Sequence, residues 1–137
     1  REAVGKPLAR LGKNTEVIAK ARIEIESMRL MVLRAARAMD LTGNAEARIW
    51  VSAVKAMVPE RVCAIIDEAI QVHGAAGISQ WTPLAGMYAA QRTLRLADGP
   101  DEVHWHVVGR AELTRYENDH SPAVPPASER GGVFSGP

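Results

Sequence analysis

The residues able to do chemistry fall in two short segments. The first is Leu96-Ala97-Asp98-Gly99-Pro100-Asp101-Glu102-Val103-His104, where Asp98 sits on a corner between two helical patterns. Gly99 lies behind it, and Pro100 is ready to open the next helix. The second, Gln71-Val72-His73-Gly74-Ala75-Ala76-Gly77, is a small-residue turn upstream, also at a helix end. An Asp works as a general base near neutrality when burial against apolar ligand atoms lifts it from about 3.9, or when the substrate proton is unusually acidic. Asp98 can equally be a helix cap, where a carboxylate suits the helix dipole. Small residues let the backbone approach a ligand, and turn amides can hold a pyrophosphate. The same turn also reads as an ordinary C-cap at Gly74 followed by a corner. Taken together, the two segments suit an enzyme that binds a phosphate-bearing cofactor and removes one proton.

Other reactive side chains point elsewhere. His104 and His106, two apart on a helix, face different sides and form no metal pair. His73 at a helix end suits the dipole. Cys63 lies among Val62, Ile65 and Ile66 as a core thiol. Arg92 and Arg95 precede the corner, where they could meet a phosphate or form bundle ion pairs. The sequence contains no metal motif, no Ser or Cys nucleophile arrangement and no P-loop.

These segments need elements to position them. Residues 1 to about 12 carry Gly5, Pro7 and Gly12 and read as a loop or frayed entry. Asn14 or Thr15 then caps a long helix whose apolar stripe runs Val17, Ile18, Ala21, Ile25, Met28, Val32, Ala35, Ala36, Met39. Thr42-Gly43-Asn44 ends it and caps a second helix from about Ala45 to Val72. Ile49, Ala53, Val54, Met57, Val58, Val62, Ile65, Ile66, Ala69 and Ile70 face inward, and Pro59 is expected to kink it near Lys55. Thr82 caps and Pro83 starts a third helix to about Leu96. A fourth runs from Pro100 to about Tyr116, with Asp98 available as its cap. No useful period-2 alternation appears. The expected fold is all-α, an antiparallel up-down bundle over residues 1–118, lacking its first helix. From Asp119 to Pro137 the Ser/Pro/Gly/Ala composition predicts a disordered tail.

Bulk properties agree. The chain has 137 residues, 47% apolar and 24% charged, enough for one core. A formal charge of +1 offers nucleic acid little to hold. Cys63 stands alone, which rules out an internal disulfide and leans towards a reducing compartment. No apolar run reaches the roughly 18 residues that span a bilayer. The chain opens on Arg1-Glu2-Ala3-Val4-Gly5 without an initiator Met and reads as the C-terminal piece of something longer.

Gln71 to Gly77, then Leu94-Arg95-Leu96, then Ala97 to His104 resemble the C-terminal helical domain of the acyl-CoA dehydrogenases. Arg1-Glu2-Ala3-Val4-Gly5-Lys6-Pro7-Leu8 resembles that family's Arg-x-x-Phe-Gly-Lys-Pro segment, so the resemblance runs from Arg1 to about Tyr116. It implies a four-helix bundle sharing FAD across a homo-oligomer interface, as a dimer or tetramer. Arg1 would touch the FAD pyrophosphate of a neighbouring subunit, with Gln71, Gly74 and Ala75 supplying part of the same site. Asp98 falls where most members carry the Glu base, and its Asp-Gly-Pro-Asp-Glu-Val-His context looks like a subgroup in which Asp serves. Gly99, Pro100 and Glu102 fall where the family usually has Gly, Thr and Gln or Glu near the flavin. Val4 replaces the usual Phe, Ala75 the second Gly, and Pro100 cannot donate a hydroxyl.

The implied reaction is α,β-dehydrogenation of an acyl-CoA thioester to a trans-2-enoyl-CoA. Asp98 takes the α-proton, the flavin takes the β-hydride, and an electron-transfer flavoprotein reoxidises it. Taken alone, the chain is expected to be inactive. A bacterial cytoplasm is the expected compartment, with a mitochondrial matrix as the alternative. An oxidase or flavin monooxygenase on the same scaffold remains open, as does a non-catalytic oligomerisation or partner-binding module.

Overall fold

In the computed structural model, residues 1–119 are described. The expected tail therefore lies outside the described residues, apart from Asp119.

About half of the described residues form one long helical element, α1 (Lys13–His73), broken once at Gly43. Gly43 alone departs from helical dihedrals, at φ 78° and ψ 177°, so α1 is two arms, residues 13–42 and 44–73. Each arm is about 45 Å long at the helical rise per residue. They fold back antiparallel: Arg61 pairs with Glu24, and the Arg34 guanidinium lies 4.4 Å from the centre of the Trp50 ring. Early residues of the first arm thus meet late residues of the second.

The single-turn α2 (Ala75–Ile78) follows, then α3 (Leu84–Leu94) and α4 (Asp101–Asn118), both packed on α1. The architecture is all-α. Its one exception is a hairpin at the start of the chain, where β1 (Glu2–Ala3) pairs antiparallel with β2 (Lys6–Pro7), followed by a 3₁₀ turn at Leu8–Arg10. The expected loop there is ordered because Val4 and Gly5 both take positive φ, 53° and 69°, as a tight two-residue hairpin turn requires.

Packing explains which expected core positions are buried. The second arm lies in the middle, and Ser52, Ala56, Pro59, Cys63 and Ile66 form its buried row, spaced by threes and fours. Pro59 belongs to that row, and the expected kink near Lys55 does not appear as a break, since the dihedrals around it stay helical. On the first arm Met28, Ala35 and Ala38 are buried, whereas Ile18, Ile25, Val32 and Met39 are exposed. The expected stripe is wider than the one neighbouring arm can cover.

The expected caps are also corrected. Gly12, not Asn14 or Thr15, is the N-cap of α1. Asn14 Nδ2 donates to Leu8 O (2.8 Å) and Thr15 Oγ1 to Ala9 O (3.1 Å), tying the 3₁₀ turn to the helix start. Thr82 does not cap α3: its hydroxyl donates to Ala76 O and Gly77 O, leaving Pro83 as N-cap. None of the described helices is long and apolar enough to cross a membrane.

Candidate active site

The first cluster surrounds Asp98. After α3 the chain makes a tight corner, with Leu96 N and Ala97 N both donating to Thr93 O at 3.0 Å. Asp98 and Gly99 then take positive φ, 54° and 98°. Asp tolerates the left-handed region better than most side chains, because its short polar group crowds the backbone least. Asp98 is not the cap of α4. Pro100 holds that position, and no side chain caps the helix. The Asp98 carboxylate is exposed and, among the described residues, has no hydrogen-bond or ion-pair partner. A carboxylate presented without a partner from a strained turn is available to a ligand.

What holds the corner lies beneath it. Asp101 N donates to Arg95 O (3.2 Å), and Arg95 Nε donates to Asp101 Oδ2 (2.5 Å). Asp101 is 5% exposed, and this bond holds Arg95 above its ordinary pKa. Arg95 thus serves as a bundle ion pair, while Arg92 is exposed. Lys55 Nζ donates to Leu94 O (2.6 Å) and Gly99 O (3.1 Å). His104 Nε2 lies 3.2 Å from Asp98 O, and its Nδ1 is buried without a partner. Asp101 and Lys55 were missed from sequence, because their partners lie on other turns and helices. Pro100 and Glu102 open α4 with exposed side chains, and His106 is exposed on the same helix.

The second cluster joins the two ends of the family-like pattern. Gly74 closes α1, with its N–H donating to Gln71 O (3.2 Å), at φ 62° and ψ −143°. A Cβ there would stand 2.6 Å from Arg1 Nη1, so the hairpin lays the Arg1 guanidinium directly against this turn. Gly77 folds back on the helix: its Cβ would meet Ile70 O at 2.6 Å, a backbone contact that cannot yield. Gln71 and Ala75 are exposed beside Gly74. A cation laid on a glycine turn with open backbone fits a pyrophosphate. His73 Nδ1 instead contacts Ala69 O (2.8 Å) in its own helix.

Cys63 is buried between these clusters along the second arm. Burial pushes its thiol pKa up, against the opposing pull of Arg95 and Arg92. No group of three or more metal-ligating side chains occurs among the described residues.

Comparison with known proteins shows the family. Residues 1–113 match the C-terminal domain of acyl-CoA dehydrogenases. The chain is 48% identical over 124 residues to Probable acyl-CoA dehydrogenase FadE2 of Mycobacterium tuberculosis, covering 90% of this chain and 30% of that protein. It is 53% identical over 113 residues to the rat acyl-CoA dehydrogenase family member 11, covering 82% of this chain and 14% of that one. An acyl-CoA dehydrogenase homologue from Mycobacterium abscessus superposes with a TM-score of 0.82 at 51% identity, over 85% of this chain and 28% of that one. Butyryl-CoA dehydrogenase from Megasphaera elsdenii superposes with a TM-score of 0.75 at 26% identity, over 82% of this chain and 29% of its own. The chain thus spans less than a third of each of these relatives. The match over residues 1–113 and the shared helical arrangement are those of a C-terminal helical domain, and the chain belongs to the acyl-CoA dehydrogenase family.

Proposed function

We propose that this domain carries the catalytic base and part of the flavin-nucleotide site of an FAD-dependent acyl-CoA dehydrogenase. The observation that carries this reading is the Asp98 carboxylate, held out unpartnered on a positive-φ corner while Lys55, Arg95, Asp101 and His104 bind the backbone and loop behind it. A helix cap would have its carboxylate on a backbone amide; this one does not.

Asp98 removes the proton α to the thioester carbonyl. Hydrogen bonds to that carbonyl stabilise the developing enolate and lessen what the base must supply. Asp is one methylene shorter than Glu, so the substrate or the corner sits about 1.5 Å closer than a Glu base would need. When bound, FAD supplies the two-electron acceptor for the β-carbon and is reoxidised by an electron-transfer flavoprotein. The product is a trans-2-enoyl-CoA. Gly99 and Pro100 shape the corner facing the flavin ring, with Glu102 on the first turn behind it.

Arg1, Gln71, Gly74 and Ala75 hold the FAD pyrophosphate. The Arg1–Gly74 contact supports this, as does the room that glycine leaves. Between Lys55 and Gln71 the second arm rises about 24 Å. One chain's two clusters are thus too far apart to close on one reacting carbon. This supports the nucleotide turn serving a neighbouring subunit's flavin in a homo-oligomer. Exposed Ile18, Ile25, Val32 and Leu33 on the first arm offer apolar surface for such assembly. With Asp98 so open to solvent, the 137 residues by themselves should be inactive. Bacterial cytoplasm and mitochondrial matrix both remain open as compartments, since the relatives include bacterial and animal proteins.

The test is anaerobic titration of the intact, flavin-loaded protein with acyl-CoAs from butyryl to palmitoyl, with product identification. Loss of oxidised-flavin absorbance with formation of a 2-enoyl-CoA is expected. Flavin binding without bleaching by any member would reject the reading. Rapid reoxidation by oxygen with peroxide release would instead favour an oxidase.

A further inference from the structure

Lys55 lies on the second arm, far in sequence from the corner that it holds. Lysine usually keeps its ammonium in water, where its three donors are hydrated. Here the side chain is half-buried, and its Nζ reaches two carbonyls on opposite sides of the Asp98 corner, Leu94 O at 2.6 Å and Gly99 O at 3.1 Å. Leu94 ends α3, where carbonyls have no partner within the helix and a positive charge complements the dipole. Gly99 directly follows Asp98. One ammonium therefore ties the end of one helix to the carbonyl of the residue that follows the base.

The corner needs such a tie. Asp98, a non-glycine residue at positive φ, is the strained member of the pair and is held there by its surroundings, whereas Gly99 takes its positive φ freely. Arg95 and Asp101 close the loop below but make no hydrogen bond to the Asp98–Gly99 peptide. His104 holds Asp98 O from one side, and Lys55 holds Gly99 O from the other. Lys55 is the one Lys or Arg side chain hydrogen-bonded to the Asp98 or Gly99 carbonyl among the described residues.

We propose that Lys55 is a positioning residue for proton abstraction, fixing the place of the Asp98 carboxylate without touching the substrate. The proposal rests on Asp98 as base. Misplacement of a reacting group by about 1 Å can cost about a hundredfold in rate, so a relaxed corner should slow chemistry more than it weakens binding.

The experiment is anaerobic stopped-flow reduction of the intact flavoprotein by the most reactive of the butyryl- to palmitoyl-CoA series. Parent, Lys55→Met, Lys55→Arg and Asp98→Asn are compared, with FAD content and unfolding midpoint recorded for each. Lys55→Met should lower the limiting rate by at least about tenfold, with half-saturating acyl-CoA within about twofold and full FAD content. Lys55→Arg, which keeps charge and donors, should recover most of that rate. Should Lys55→Met not yield loaded protein, Lys55→Gln replaces it under the same criteria. A parental rate in the Lys55 variant beside an inert Asp98→Asn overturns the proposal and leaves the base reading standing. Parental rates in Asp98→Asn remove both. Loss of flavin or stability in step with rate, unrelieved by Lys55→Arg, reduces Lys55 to a structural role and overturns the proposal.

Discussion

Arg95 and Asp101 are joined twice across the Asp98 corner, by backbone (3.2 Å) and by side chain (2.5 Å). Asp101 is almost fully buried, and its Oδ1 has no partner, whereas Arg95 remains 30% exposed. Removing one member of such a pair leaves the other's charge uncompensated. Arg95→Met strands the buried carboxylate and should destabilise more than Asp101→Asn, though less than in a fully buried pair because Arg95 is partly solvated. Asp101→Asn keeps the shape and an acceptor and should lose about 1 kcal/mol. Urea unfolding of the intact protein measures both. Equal losses would mean that the backbone closure, not the ion pair, holds the corner.

The two glycines of the 71–77 turn should fail differently. Gly74→Ala meets only the far end of the Arg1 side chain, which can swing away, but its dihedrals suit glycine almost alone. The expected result is about 1–3 kcal/mol of strain and a marked loss of FAD retention, read as the flavin-to-protein ratio. Gly77→Ala meets the Ile70 carbonyl, which cannot swing. Its cost should be about 2 kcal/mol or more, seen in the unfolding midpoint even of flavin-free protein. A Gly77→Ala protein as stable as the parent would contradict the packing described.

Cys63 gives a pH dependence with a definite sign. Burial raises its folded pKa above that of an ordinary thiol, so the folded state keeps a proton that the unfolded state gives up. Its contribution is intact below about pH 9 and is lost as pH rises towards the folded value. Stability should therefore fall faster above about pH 9 in the parent than in Cys63→Ala. A thiol reagent should react slowly until the protein is unfolded. Identical alkaline profiles would show that the thiol is not held protonated.

Much of the architecture was legible in local pattern. The break at Gly43, the end of the second arm near Val72 and the opening of α4 at Pro100 each follow from a glycine or proline at a periodic boundary. Short-range reading failed where a side chain chose a distant partner. Thr82 caps nothing because Ala76 O and Gly77 O are closer to hand, and Asn14 turns back to Leu8 O. Of the two roles open to Asp98, that of the cap fell to Pro100. Lys55 and Asp101 were invisible as site residues, since a lysine among Ala53, Val54 and Ala56 announces nothing about carbonyls two helices later. Pro59 misled because its missing N–H is tolerated inside a helix held on several sides.

The most direct measurement compares single-turnover flavin reduction in the parent and Asp98→Asn, under anaerobic conditions with saturating acyl-CoA. Asn suits the left-handed backbone at φ 54° at least as well as Asp, so the corner should survive and only the proton acceptor is removed. The expected result is rapid bleaching in the parent and a loss of at least about a thousandfold in Asp98→Asn, with FAD content and acyl-CoA binding retained. Equal bleaching in both would contradict the account and move the base away from Asp98.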